Sequence, residues 1–174
     1  MPLICLTTKI NAPVQAVFDL SRDIDFHQKC ASKTREKAVA GRTSGLINLG
    51  ETVTWEAVHF GVKQQLTTKI TEMNSPHSFT DEMIKGAFKS IRHEHLFHFD
   101  SAQCTKCSAQ CTKYSNNSNC SCITIMEDRF YFESPLGIFG KLFNCLVLTQ
   151  YMTRFLEERN DAIKETNYSK LPKN

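Results

Sequence analysis

The sequence predicts an α+β fold in which one antiparallel sheet of seven strands is covered by a long C-terminal helix. Three observations lead to this prediction. Stretches of alternating apolar and polar residues recur through the middle of the chain and are joined by short turns. Two short helical stretches follow the first strand, and the C-terminal part repeats apolar residues at three- and four-residue intervals.

The elements follow one another as strand, two short helices, six strands and long helix. Val14, Val17 and Phe18 have helical spacing, and the polar residues around Arg22 divide this region into two helices. The strands are predicted at residues 3–10, 34–40, 51–60, 62–73, 78–84, 90–99 and 123–133. The last helix is predicted from Ser134-Pro135, and its charges, Arg159 among them, concentrate toward its far end. Short turns between consecutive strands favour an antiparallel meander.

The length and composition are those of an ordinary globular protein. The chain has 174 residues, 41% hydrophobic and 22% charged, which predicts one domain spanning residues 1–174. The longest apolar stretch, residues 136–148, is interrupted by Lys141 and Asn144, so no membrane span is predicted. The first residues lack the pattern of a secretory signal, which predicts a cytoplasmic protein.

The net charge of +3 is spread along the chain, with one local basic cluster. The cluster consists of Lys29, Lys33, Arg35, Lys37 and Arg42. Such a run is typical of a solvated face, and no nucleic-acid-binding motif accompanies it. We therefore expect no nucleic-acid partner.

Six short segments, taken in this order, resemble a known superfamily. They are Ile10-Asn11-Ala12-Pro13 with Val17-Phe18, and the stretches at residues 40–47, 54–61, 93–95, 128–130 and 134–137. In this set the chain resembles the SRPBCC superfamily, which includes START domains, polyketide cyclases and the birch-pollen allergen family. Within it, the chain looks like a bacterial branch that is loosely labelled cell-division inhibitor. The resemblance covers about residues 2–165, apart from one insertion.

The resemblance implies a helix-grip fold, with a seven-stranded antiparallel sheet wrapped around the long helix. It also implies a cavity between sheet and helix that holds a hydrophobic or amphipathic small molecule. It does not imply one activity, because a fold does not fix a function. The expected apolar wall is Trp55, Leu66, Phe97, Met126, Phe130, Phe139, Phe143 and Leu146, and the expected polar groups are His59, His93, His95 and Asp128.

His93 and His95 are the residues with the most chemical potential. Residues two apart on a strand point to the same side, so both imidazoles can meet one ligand. With Asp128 to set a tautomer, they are candidates for acid–base catalysis, and with a carboxylate they are candidate metal ligands. The alternative is that they are polar pocket or core groups whose hydrogen bonds are satisfied by neighbours.

Five of the eight cysteines lie in or directly after an insertion at residues 101–121, which contains a short duplication. Cys104, Cys107, Cys120 and Cys122 are candidate zinc ligands, although C-x-C is a poor second knuckle. A disulfide set, a redox sensor or a polar, mobile hairpin tip are the alternatives. The other three cysteines, Cys5, Cys30 and Cys145, are expected to be small buried apolar residues. No other cofactor is predicted.

Three functional hypotheses follow, in order of preference. The first is a non-catalytic protein that binds a lipid-like or polyketide-like small molecule. The second is an enzyme of cyclase or dehydratase type that uses His93, His95 and Asp128. The third is a protein-interaction module linked to cell division, with a protein partner at the insertion. The sequence leaves the oligomeric state open.

Overall fold

The predicted α+β architecture is observed in the structure, a computed structural model that describes residues 2–31, 35–59, 61–100, 123–133 and 147–168. Within these ranges a seven-stranded antiparallel sheet has the order β1-β7-β6-β5-β4-β3-β2. The strands are β1 Leu3–Ile10, β2 Lys37–Gly41, β3 Thr52–His59, β4 Val62–Asn74, β5 Ser78–Lys85, β6 Ser90–Phe99 and β7 Thr124–Glu133. The helices are α1 Val14–Ser21, α2 Ile24–Cys30 and α3 Thr149–Glu165.

The strands after α2 form a meander, because each strand pairs with the next one along the chain. In the β3–β4 hairpin, His59 pairs with Val62 and Trp55 pairs with Leu66. Gly61 has a φ of 76°, a left-handed conformation that glycine adopts without strain. β1 is an edge strand of the sheet and pairs with β7, so that the first and last strands of the chain are neighbours.

The two short helices separate at Asp23, as the polar residues there predict. Asp23 is the N-cap of α2, and its carboxylate accepts hydrogen bonds from the backbone amides of Asp25 at 2.8 Å and Phe26 at 3.1 Å. The connection between β2 and β3 is fixed to this junction. The amide of Ile47 donates to the Arg22 carbonyl at 3.1 Å, and the amide of Ile24 donates to the Gly45 carbonyl at 3.0 Å.

The inner face of the sheet carries two apolar clusters. One surrounds Phe18, Phe79 and Phe97, which we call the aromatic cluster, and includes Ile163 of α3. The other surrounds Phe130 and Phe132 and includes Leu156 of α3. α3 thus covers both clusters through residues seven positions apart, which lie on one side of a helix.

One charged residue near the end of the last helix is buried, and one expectation from the sequence is wrong. Arg159 is buried because it shares with Asn160 the side of α3 defined by Leu156 and Ile163. Cys5 is exposed rather than buried, because the alternation of β1 turns it away from the core, and Cys30 is only half-buried. Cys145 and residues 134–146 of the predicted last helix lie outside the described residues.

No helix in the described part of the chain is long and apolar enough to cross a membrane.

Candidate functional site

A cavity of about 120 Å³ lies between the inner face of the sheet, the α1–α2 junction and α3. One part of its wall is apolar and is formed by Ile24, Ile47, Val53, Trp55, Leu66, Ile70, Phe79, Ile91, Phe130 and Leu156. The polar part includes Arg22, His27, Glu36, Asp81, His93, His95 and Arg159. A mostly apolar wall with a few convergent polar groups is typical of small-molecule sites.

Three neighbouring strands and α3 bring together a group of polar residues at the cavity. We call Asp81, His93, His95, Asp128, Arg159 and Asn160 the polar cluster. Asp81 on β5 is opposite His93 on β6, and His95 is opposite Asp128 on β7. Since side chains alternate along a strand, His93 and His95 both point to the inner face, where their ring centroids are 3.7 Å apart.

Asp128 is the centre of the polar cluster and is 1% exposed. Its Oδ1 lies 2.9 Å from His93 Nε2 and 2.9 Å from His95 Nδ1. Arg159 donates to Oδ1 at 3.3 Å, and the Asn160 side-chain amide donates to Oδ2 at 2.8 Å. Burial alone raises the pKa of Asp128, but the hydrogen bonds from His93 and His95 and the charge of Arg159 outweigh it and hold the pKa well below its usual range.

His93 is uncharged at neutral pH. Burial is the largest cause, and together with the proximity of His95 it lowers the pKa of His93 to about 4, against the opposing effect of Asp128. The pKa of Asp81 is also lowered, because the hydrogen bond from His95 and the nearby charges outweigh the cost of burial. His95 Nε2 lies 3.1 Å from Asp81 Oδ1, and His93 Nδ1 lies 3.9 Å from the same oxygen.

A second polar contact lies in the wall beside Trp55. The His27 ring stacks on Trp55 with centroids 4.3 Å apart, and His27 Nε2 is 3.1 Å from Glu36 Oε2. Glu36 is itself buried. This contact joins α2 to the segment before β2 and fixes the orientation of the indole that lines the cavity.

The structure brings some of the predicted site residues together and separates others. Trp55, Leu66, His93, His95 and Phe130 line the cavity, and Asp128 lies directly behind the two imidazoles. Both apolar and polar residues named from the sequence thus lie at the cavity, and their role in binding stays a prediction.

His59, Phe97 and Met126 are not among the described residues that line the cavity. The His59 Nδ1 is 2.7 Å from the Tyr151 hydroxyl, and burial lowers the pKa of this imidazole. Phe97 packs against Phe18 in the aromatic cluster. Met126 is fully buried, and its sulfur accepts a hydrogen bond from the Ser21 hydroxyl at 3.7 Å.

Several predicted residues lie outside the described part of the chain. They are the apolar candidates Phe139, Phe143 and Leu146 and the zinc candidates Cys104, Cys107, Cys120 and Cys122. Their assignments remain predictions from the sequence.

Two residues of the site were not found from the sequence. Arg159 carries a signal that was available, because it lies between Leu156 and Ile163 at helical spacing. It also donates to the Ser21 carbonyl at 3.2 Å, which joins α3 to the end of α1. Asp81 has no comparable signal, because its place beside His93 depends on the pairing register of β5 and β6.

Comparisons with known proteins identify the fold. No protein-family model matches the chain, and no curated protein matches it by sequence. Solved structures do match. The protein TTHA0849 from Thermus thermophilus is 17% identical with a TM-score of 0.68, over 94% of this chain and 95% of that one.

Two further matches carry informative names. A START superfamily protein from Mycobacterium smegmatis is 10% identical with a TM-score of 0.59, over 91% of this chain and 97% of that one. The ginseng major latex-like protein 151 from Panax ginseng is 18% identical with a TM-score of 0.55, over 94% and 95%. The predicted helix-grip fold is confirmed, and the chain shares this fold with the START superfamily protein and the latex-like protein.

Proposed function

We propose that this protein binds a compact amphipathic small molecule in the cavity between the sheet and α3. The observation that carries the proposal is the composition of the cavity wall, in which Trp55, Leu66 and Phe130 meet a polar side that contains His93 and Arg159. The apolar wall favours a hydrophobic group, and the polar groups give the ligand an orientation. The helix-grip resemblance, which implies a cavity of this kind, supports the same function.

The volume limits the size of the ligand. An engineered apolar cavity of about 150 Å³ is enough to hold benzene. The 120 Å³ described here therefore suits about one aromatic ring or a short branched chain. Burial of roughly 150 Å² of apolar ligand surface contributes about 4 kcal/mol before entropic costs. Polar contacts must add to this for micromolar binding, so we expect a ligand with one ring and at least one hydrogen-bonding group.

Native mass spectrometry of the purified full chain under reducing conditions tests this function. A mass excess that disappears on denaturation identifies a retained ligand, which can then be extracted. The matched variants are Leu66→Trp, which fills the cavity, and Val62→Trp on the same strand, where the side chain is 58% exposed. We expect the Leu66 variant to lose the ligand and the Val62 variant to keep it.

Two results contradict the proposal. One is a bare polypeptide mass together with no heat of binding for phenol, benzoate and 4-hydroxybenzoate in calorimetry. The other is equal retention of ligand by the Leu66→Trp and Val62→Trp variants, provided that both have wild-type circular dichroism. Either result removes the cavity as the binding site.

An acid–base enzyme is the second candidate, and one observation favours it. His93 lines the cavity and its Nε2 is 2.9 Å from the ionised Asp128, which leaves Nδ1 as a proton acceptor. However, its pKa of about 4 makes it a weak base at neutral pH, which favours binding over catalysis. The test is to incubate the extracted ligand with wild-type protein and with His93→Gln. A product that is lighter by one water and forms only with the wild type establishes the enzyme, and an unchanged ligand excludes a dehydration.

A further inference from the structure

We propose that Asp81, His93 and His95 bind one divalent transition-metal ion, of the zinc or iron(II) type, at the polar side of the cavity. One ligand atom from each of the three residues lies within 4.8 Å of the other two. We assign them as Asp81 Oδ1, His93 Nδ1 and His95 Nε2, because the other ring nitrogens face Asp128. Two imidazoles and one carboxylate are a donor set that suits these borderline metals better than calcium or magnesium. The site stands on its own geometry and does not depend on the ligand proposed above.

One separation between ligand atoms already matches that of a metal site, and a second is slightly longer. Bonds of about 2.0–2.2 Å place neighbouring ligands about 3.0–3.5 Å apart in tetrahedral or octahedral geometry. Asp81 Oδ1 is already 3.1 Å from His95 Nε2. The same oxygen is 3.9 Å from His93 Nδ1, which a small rotation of the Asp81 side chain shortens. Asp81 is only partly buried and borders the cavity, so its side chain has room to move.

Asp128 supplies the outer support that metal-binding histidines need. A metal-bound histidine usually donates its other ring N–H to a carboxylate, which fixes the tautomer and the orientation of the ring. Here one Asp128 oxygen lies 2.9 Å from the far nitrogen of both imidazoles. Arg159 and Asn160 hold Asp128 in turn. The two imidazoles are therefore oriented with their remaining nitrogens toward Asp81.

The position of His95 between two carboxylates shows why a cation fits. Its Nδ1 lies 2.9 Å from Asp128 Oδ1, and its Nε2 lies 3.1 Å from Asp81 Oδ1. A neutral imidazole has one N–H, so one ring nitrogen always presents a lone pair to a carboxylate oxygen. The buried Nδ1 lies 2.9 Å from Asp128 Oδ1, but in the described residues its hydrogen-bond geometry to that oxygen is poor. A metal ion on Nε2 keeps the proton on Nδ1, where Asp128 is the nearest acceptor.

Three protein ligands leave coordination positions for water or a small molecule. Sites with an open position differ in this respect from closed structural sites, which have four protein ligands. Asp81, His93 and His95 all border the cavity, so the open positions face it. A molecule in the cavity with an oxygen donor can therefore complete the coordination.

Cobalt(II) titration tests the site because its visible spectrum reports the ligands. The full chain is stripped with a chelator and titrated with Co²⁺ alone, as wild type and as a variant with serine at Cys104, Cys107, Cys111, Cys120 and Cys122. Thiolate ligands give an intense near-ultraviolet charge-transfer band, whereas imidazole and carboxylate ligands give only visible bands. We expect one equivalent of Co²⁺ with visible bands to remain in the serine variant, with a raised melting temperature.

Point variants in the serine background locate the ion. Asp81→Asn and His95→Gln are expected to lose at least 100-fold in affinity, and Asp128→Asn about 10–100-fold as a supporting residue. The matched control is His98→Gln, an exposed histidine on the same strand, which is expected to bind as the parent does. If His95→Gln does not fold, Asp81→Asn still carries the test, because Asp81 is only partly buried.

Two results overturn the proposal. The first is a serine variant that takes up no Co²⁺ or Zn²⁺, together with nitrogen NMR that shows His95 protonated on both ring nitrogens. The second proton, rather than a metal ion, then lets His95 donate to both carboxylates. The second is equal metal affinity in the parent, Asp81→Asn and His95→Gln, which places the ion elsewhere.

Discussion

The aromatic cluster and the polar cluster occupy the same face of the same strands, yet they are held together by different forces. Along β6 the buried residues are Ile91, His93, His95 and Phe97, so that the imidazoles lie between two apolar side chains. In the aromatic cluster, Phe18 meets Phe97 edge-on with ring centroids 5.5 Å apart. Such packing needs no partner of particular charge.

The polar cluster stabilises the fold only while it is complete. The charges of Asp128 and Arg159 are buried, and a buried charge without a partner costs several kcal/mol. When a buried ion pair is replaced by apolar residues of similar volume, the stability of a protein is often unchanged or increased. This cost favours the proposed binding role, rather than a role in folding, as the reason for polar residues in the centre of the sheet. The same comparison predicts that the two clusters respond differently to substitution.

The largest effect is expected in the aromatic cluster. Phe97 is fully buried, and Phe97→Ala leaves a cavity, so we expect a loss of about 3–5 kcal/mol in the free energy of unfolding. Urea denaturation measures this loss. If the two clusters are independent, the folded fraction of the Phe97→Ala variant keeps the Co²⁺ affinity of the wild type. A fall in this affinity together with stability contradicts the contrast between the clusters.

In the polar cluster we expect a smaller loss in the free energy of unfolding, but strong coupling between Asp128 and Arg159. Asp128→Asn removes the charge that Arg159 faces at 3.3 Å, and we expect a loss of about 2–3 kcal/mol. We expect the double variant Asp128→Asn with Arg159→Met to lose about 1–2 kcal/mol less than the sum of the two single losses. The reason is that neither charge is then left unpaired. A double-mutant cycle by urea denaturation gives the coupling. Additive losses mean that the two side chains do not interact.

The smallest effect is expected outside both clusters. Cys5 is exposed on the outer face of β1, so Cys5→Ser changes the free energy of unfolding by less than about 0.5 kcal/mol. Cys30 is half-buried, and burial raises the pKa of its thiol, so Cys30→Ser costs about 1 kcal/mol. Urea denaturation in reducing buffer compares the two. A larger loss for Cys5 contradicts the observed strand orientation.

The fold was predictable because its signals are local. Alternation along β3, β4 and β6 and the helical spacing of Leu156 and Ile163 are properties of single elements. The same period placed His93 and His95 on one face. Asp81 was missed because its position depends on strand register, whereas Arg159 was missed although its helical spacing from Leu156 and Ile163 is visible in the sequence. His59 is on the correct strand face but too far along β3, where it contacts Tyr151.

The hydrogen bond from Arg159 to the Ser21 carbonyl joins residues 138 positions apart in the chain. Contacts of such sequence separation form late in folding, because the entropy of closing a long loop must be overcome first. The polar side of the cavity is incomplete until α3 docks on α1 and β7. A chain that ends before Arg159 has the histidines but lacks the groups that hold Asp128. Occupancy of the proposed site would thus report that the described elements from α1 to α3 have reached their native positions.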